Sequence, residues 1–201
     1  MPKELQKKGM LEVICGSMFS GKSEELIRRL RRTQFAGKKV LAFKHSLDNN
    51  RTTLQSVVSH NGTHIPAISI EQPDMLLSFV TPDIDVIGID EAQFFSAALI
   101  DVVLQLVEDK KHVFIAGLNL TFRADPFGPM PTLMALADNV TKLSAVCTIC
   151  GHDAYFTQRL VNGAPARYDD PIILVGAQEA YQARCRNCFS IDKKVSWQSL
   201  Q

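Results

Sequence analysis

Leu11-Glu12-Val13-Ile14-Cys15-Gly16-Ser17-Met18-Phe19-Ser20-Gly21-Lys22-Ser23 is the stretch whose reading decides the fold. Its second part, Gly16 to Ser23, fits G-x-x-x-x-G-K-[ST], the loop that cradles phosphates. That motif needs a strand before it and a helix after it. The apolar run 11–15 supplies the strand, and Glu24-Glu25-Leu26-Ile27-Arg28-Arg29-Leu30 supplies the helix. The glycines let backbone N–H groups turn onto phosphate oxygens, and the helix N-terminus adds partial positive charge. Lys22 then reaches the outer phosphates, and Ser23 offers a hydroxyl to Mg²⁺. A plain glycine turn ahead of an amphipathic helix leaves Lys22 and Ser23 unexplained. Gly16, Ser17, Met18, Phe19, Ser20, Gly21, Lys22 and Ser23 are therefore the candidate nucleotide-binding residues.

The strand before the loop is one of five short apolar runs, at 11–15, 39–44, 85–90, 112–117 and 141–146. Helical patterns fall between them, near 22–36, 73–80, 96–109 and 130–138, with Gly37 placed to end the first. Strands alternating with helices predict an α/β fold with a mainly parallel sheet. Residues 1–9 read as a lead-in and 45–62 as a long polar loop. Arg28, Arg29, Arg31 and Arg32 read as a solvated helix face. After about residue 147 cysteine pairs, Gly, Pro and Tyr appear and long helical patterns stop. The expected division is a nucleotide-binding domain over 1–146 and a smaller cysteine-bearing domain over 147–201.

Composition narrows the function. The chain has 201 residues, 46% hydrophobic, enough for a globular core with a small appendage. A net charge of +1 gives no bulk attraction to nucleic acid or to an anionic membrane. The charged N-terminus has no apolar run behind it, and no apolar run nears the ~20 residues of a spanning helix. The expected location is cytoplasmic, where cysteines stay reduced and favour metal over disulfides.

Two acids end the third apolar run, in Asp85-Val86-Ile87-Gly88-Ile89-Asp90-Glu91. In a phosphate-loop protein Asp90 is placed to hold Mg²⁺ opposite Ser23. Glu91, one residue further, can accept a hydrogen bond from an attacking hydroxyl or water. That leaves a kinase and an ATPase both open. Cys147-Thr148-Ile149-Cys150 and Cys185-Arg186-Asn187-Cys188 are two C-x-x-C pairs separated by 34 residues. This interval is longer than in compact zinc patterns. In a reducing compartment the pairs still read best as one closed, structural four-thiolate Zn²⁺ site. A redox pair needs only one C-x-x-C. His152 reads as a neighbour of the metal, and Cys15 as a core residue.

These motifs together resemble those of type II (cellular-type) thymidine kinases. The likeness runs from about Met10 to about Phe189 and includes Met18-Phe19 inside the loop and Gln93-Phe94-Phe95 after the acids. The resemblance implies a RecA-like α/β domain with a small zinc-binding domain that carries a lasso loop. It implies transfer of the ATP γ-phosphate to the 5′-hydroxyl of thymidine, and also of deoxyuridine. It further implies feedback inhibition by thymidine triphosphate and a homotetramer. By position, Glu91 resembles the general base, Asp90 and Ser23 the Mg²⁺ partners and Lys22 the phosphate lysine. Met18, Asp48, Phe94, Leu118, Phe122, Phe127, Thr157, Ile172, Leu174, Gly176 and Tyr181 match substrate-pocket and lasso positions. For Phe127 a turn-anchoring role stands beside base contact, and the role of Arg159 is left open.

The sequence departs from the family in three places. One extra residue separates Asp48 from Arg51, Asn119 stands where an Asp is usual, and 164–171 is longer than in some members. A P-loop ATPase with a zinc module, and a zinc-stapled protein that holds nucleotide without turnover, are the competing readings.

Overall fold

The computed structural model of the protein describes residues 9–47, 56–58, 62–173 and 180–192. Six strands form one all-parallel sheet: β1 (Met10–Gly16), β2 (Val40–His45), β5 (Ile68–Ile70), β6 (Val86–Asp90), β7 (His112–Gly117) and β8 (Asn139–Leu143). Their spatial order is β5-β2-β6-β7-β1-β8. The chain therefore leaves β1 and crosses two strand positions before returning at β2. This topological switch opens a crevice at the C-terminal ends of β1, β6 and β7, where α/β sheets bind ligands.

Apolar residues on both faces explain why the sheet is covered on both sides. Along β1, Leu11, Val13 and Cys15 face one core and Ile14 the other. The first core receives α2 (Met75–Phe79), α3 (Ala98–Glu108) and α4 (Met130–Leu136) through Leu76, Leu99, Val103, Leu106, Met130 and Leu133. The second receives α1 (Lys22–Phe35) through Leu26, Ile27 and Leu30. Leu30 lies so close to Gly88 that a side chain there would meet its Cδ1 at 2.5 Å, so glycine sets the α1–β6 spacing.

The expected strands and helices over 11–15, 22–36, 39–44, 85–90, 96–109, 112–117 and 130–138 all form, with ends shifted by a few residues. The run 141–146 divides into β8 and the short β9 (Ala145–Val146). The polar loop at 45–62 is not all loop. Within it β3 (Ser56–Val58) pairs antiparallel with β4 (His64–Pro66), and Val57 and Ile65 join the second core beside α1. Three-residue strands carry too little alternation to be read from sequence.

The arginine face also differs from expectation. Arg29 is tucked in: it reaches Glu12 at 2.7 Å, Glu25 at 2.7 Å and Thr141 at 2.8 Å, tying α1 to β1 and β8. Arg28 pairs with Glu25 at 2.6 Å, and hydrogen bonds from Arg28 and then Arg29 hold the Glu25 carboxyl at about 2.

Past β9 the layers are thin. β10 (Asp153–Ala154) pairs with β9. β11 (Phe156–Val161) pairs with β12 (Ala164–Pro165) on one side and β13 (Ala180–Arg184) on the other. The apolar cluster here is small: Ala145, Cys147, Ala154, Ala183 and Cys185. Such a cluster buries little, and small modules of this kind lean on a metal. Among the described residues, no helix is long and apolar enough to cross a membrane.

Candidate active site

β1 delivers the phosphate-loop sequence to the C-terminal edge of the sheet. Gly21 sits at φ 82°, a left-handed conformation that precedes α1 as its N-cap. At Gly16 a Cβ would meet the Leu143 carbonyl oxygen at 2.5 Å, so only glycine passes β8 there. Ser20 Oγ donates to the Ser17 carbonyl at 2.8 Å, and Lys22 Nζ donates to the same oxygen at 2.7 Å. Burial pulls the Lys22 ammonium below its ordinary range, against the opposing pull of the Glu91 and Asp90 carboxylates.

β6 ends in Asp90, 5% exposed. Its carboxylate accepts the Ser23 hydroxyl and the Glu91 N–H, the latter at 2.9 Å. Burial and then the Glu91 charge push the Asp90 carboxyl up, and these outweigh Ser23, the Glu91 amide and Lys22. Asp90 and Ser23 present adjacent hard oxygen donors, the kind of set a divalent cation takes. The chain turns sharply at Glu91, φ 54°, a left-handed conformation that costs a non-glycine residue about 1–2 kcal/mol. The turn takes the chain out of the strand and into Ala92–Phe94, a single turn of 3₁₀-helix.

Gln93 is buried in that turn. Its Nε2 donates to Glu91 Oε2 at 2.5 Å, and its Oε1 accepts the Leu118 N–H at 2.9 Å.

Leu118 opens the second part of the site. Met18, Phe94, Leu118, Leu120, Phe122, Phe127, Thr157, Ile172 and Tyr181 line one apolar cavity, with Thr121 and Ile173. Phe127 stands edge-on to Phe94 at 5.8 Å, and its N–H donates to the Asn119 carbonyl at 3.2 Å. Phe127 thus anchors the turn and also lines the cavity. His45, pulled down by burial, packs on Phe95 at 4.6 Å and Phe94 at 6.1 Å. Arg159 is 1% exposed; its guanidinium lies 5.0 Å from the Phe122 ring and donates to the Pro171 carbonyl at 2.5 Å. Asp48, Arg51, Leu174 and Gly176 lie outside the described residues.

The Gly16–Ser23 loop is tied to the cysteine-bearing module. Ser17 Oγ donates to the Ala154 carbonyl at 3.0 Å, and the Met18 N–H donates to Thr157 Oγ1 at 3.0 Å. Ala154 sits on β10, just past the Cys147–Cys150 turn, whose Cys147 N–H is bonded to the His152 carbonyl at 2.8 Å. Sequence reading missed Ala154 because it acts through a backbone carbonyl, which carries no residue signature. It also missed Leu120 and Thr121 in the cavity.

The four cysteine sulfurs, of Cys147, Cys150, Cys185 and Cys188, lie within 4.8 Å of one another. A tetrahedral four-thiolate zinc with bonds of about 2.3 Å needs sulfurs about 3.8 Å apart. Cys150 Sγ lies 3.5 Å from Cys185 Sγ and 3.6 Å from Cys188 Sγ. The protons are crowded too. Burial pushes the Cys147 thiol up, but backbone hydrogen bonds at Cys185, Ile149 and Cys150 reverse this and hold it at about 6. The Cys188 thiol, bonded first to Cys150 and then to Cys185, is pushed up to about 12. A dication relieves this competition by taking all four as thiolates, so the residues fit the metal. His152 contributes its carbonyl to the knuckle and is not among the clustered ligand atoms.

Comparison with known proteins agrees with this geometry. A family model described as thymidine kinase matches residues 9–189. A thymidine kinase of Coprothermobacter proteolyticus is 57% identical over 177 residues, which cover 88% of each chain. On the matched motifs, the fold and the four-cysteine cluster, this chain belongs to the thymidine kinase family.

Proposed function

We propose that this chain transfers the γ-phosphate of ATP to the 5′-hydroxyl of thymidine. One observation carries the reading beyond family membership. The aromatic cavity and the phosphate loop share a wall at Met18, and the Asp90–Glu91 turn stands beside both through Phe94 and Lys22. A pocket sized by aromatic side chains suits a flat base and keeps water from the reacting phosphate. A water-activating ATPase needs no such cavity.

In this mechanism the Gly16–Ser23 loop and Lys22 hold the phosphates, Lys22 exchanging its bond to the Ser17 carbonyl for a phosphate oxygen. Asp90 and Ser23 would hold Mg²⁺, which would supply charge neutralisation on the phosphates. Glu91 orients the 5′-hydroxyl and takes its proton late. A carboxylate is too weak a base to deprotonate a primary alcohol in advance. Phe94, Phe122, Phe127, Leu118, Ile172 and Tyr181 enclose the base, with Met18 and Thr157 at the phosphate side. Asp48, Leu174 and Gly176 complete the nucleoside site in the family's manner. Cys147, Cys150, Cys185 and Cys188 would hold a structural zinc that staples a smaller domain over 147–201, set beside a nucleotide-binding domain over 1–146. Use of deoxyuridine, a homotetrameric assembly and a cytoplasmic location belong to the same reading.

The test is ATP consumption with and without thymidine, in Mg²⁺. Turnover is expected only with thymidine, with thymidine monophosphate as product. Equal ATP consumption in both conditions overturns the kinase reading. Thymidine triphosphate is expected to inhibit by placing its base in the cavity and its phosphates on the loop. Inhibition competitive with neither thymidine nor ATP contradicts that single-site geometry.

A further inference from the structure

We infer that Gln93 is a positioning residue that sets the reacting oxygen of Glu91 against the wall of the nucleoside cavity; the inference rests on Glu91 acting as the base. Four observations carry it. First, Gln93 is 2% exposed, and both ends of its amide are engaged: Nε2 donates to Glu91 Oε2 at 2.5 Å and Oε1 accepts from Leu118 N–H at 2.9 Å. Second, the amide has one orientation. The Leu118 N–H is a donor and needs the amide oxygen, so the amide nitrogen must face the carboxylate. Third, the surroundings leave the side chain little choice. A Cβ on Gly117 would meet Gln93 Oε1 at 2.8 Å, and a Cβ on Gly128 would collide with the Gln93 carbonyl, so two glycines make room for the bridge. Fourth, Leu118 lines the cavity that Phe94 and Phe127 enclose.

The consequence is geometric. Glu91 itself holds the left-handed backbone position, and its side chain has rotamers of its own to choose from. Occupying Oε2 selects one of them and leaves Oε1 for the acceptor hydroxyl. Because the other end of the amide is fixed to the backbone of the cavity wall, base and acceptor are held in one frame. A misplacement of about 1 Å in such an arrangement costs on the order of 10²-fold in rate. Backbone strain alone would not fix the carboxylate. The bridge spans 25 residues of sequence and joins the end of β6 to the end of β7.

A double-mutant cycle tests this. Gln93→Met keeps the volume and removes both hydrogen bonds. Gln93→Glu still accepts from Leu118 but cannot donate to Glu91 as the amide does. Each is expected to lower kcat by about 10- to 100-fold while calorimetric thymidine Kd stays within about threefold. In the Glu91→Gln background, Gln93→Met is expected to lower kcat by less than about threefold more, because its effect runs through Glu91. A purely structural role predicts multiplied losses and a raised thymidine Kd. If Gln93→Met does not fold, judged by thermal unfolding, Gln93→Glu in the same two backgrounds carries the cycle. The inference is overturned if the losses multiply, or if either folded variant keeps kcat within about threefold of the unaltered protein. A normal kcat for Glu91→Gln itself is a separate outcome and removes the base assignment along with the inference.

Discussion

Glu91→Gln is expected to lower kcat for thymidine phosphorylation by roughly 10²–10⁴-fold, the range for loss of a positioned general base. ATP and thymidine affinities should stay within about threefold, because the substitution removes charge and basicity but not shape. The glutamine still offers an oxygen to Gln93 and still occupies the left-handed turn after Asp90. The loss therefore reports the proton step rather than a rearranged turn. Phosphoryl transfer asks little covalent chemistry of the protein, so most of the rate comes from positioning and charge. That is why a residual rate is expected and why the loss is not complete. Single-turnover measurement with bound ATP checks the chemical step directly. A variant with near-normal single-turnover rate would take Glu91 out of the mechanism.

Cys147→Ser or Cys185→Ser is expected to raise the thymidine KM at least about tenfold and to lower the stability of everything past β9. The two cysteine pairs close an interval of 34 residues, 151–184. Closing a free loop of this length costs roughly 3–4 kcal/mol in the chain-entropy picture, and the metal meets that cost before substrate arrives. The apolar cluster around Cys147 and Cys185 is built mainly of alanines and cannot replace it. The nucleotide should still bind, but less well. Ala154 and Thr157 each accept one hydrogen bond from the Gly16–Ser23 loop, and losing two bonds of about 1 kcal/mol weakens ATP by up to about 30-fold. Metal analysis should find about one zinc per chain, by the four-thiolate rule. Calorimetric titration of thymidine and of ATP separates the two effects. Normal thymidine binding by the cysteine variants, or active protein without zinc, contradicts this account.

The two expectations draw on different kinds of information. The place of Asp90 and Glu91 at the end of β6 was legible because an apolar run ending in two acids is a contiguous pattern. The four-cysteine cluster was legible because two C-x-x-C pairs together suit one tetrahedral metal site. The α/β layering followed from runs of Val, Ile and Leu long enough to show a period. What escaped was whatever depends on distant segments or on the backbone. Arg29 looks like its exposed neighbours in sequence, yet Glu12 and Thr141 draw it under the helix. The strand at Ser56–Val58 is three residues long, and its partner and the α1 surface decide its conformation.

The sequence by itself determined a glycine-bearing loop between strand and helix, an acid pair at a strand end, a four-cysteine cluster and an alternating α/β order. Each is encoded by residue type at short spacing, where sterics and hydrogen bonding act within a few residues. Tertiary structure alone decided that Gln93 spans from Glu91 to the Leu118 amide and that Ser17 and Met18 bond to Ala154 and Thr157. Those bonds join groups 25, 137 and 139 residues apart, and each has a backbone N–H or C=O, common to every residue type, at one end. Only the parallel stacking of β6, β7 and β1, with the cysteine module folded over their ends, brings these groups together.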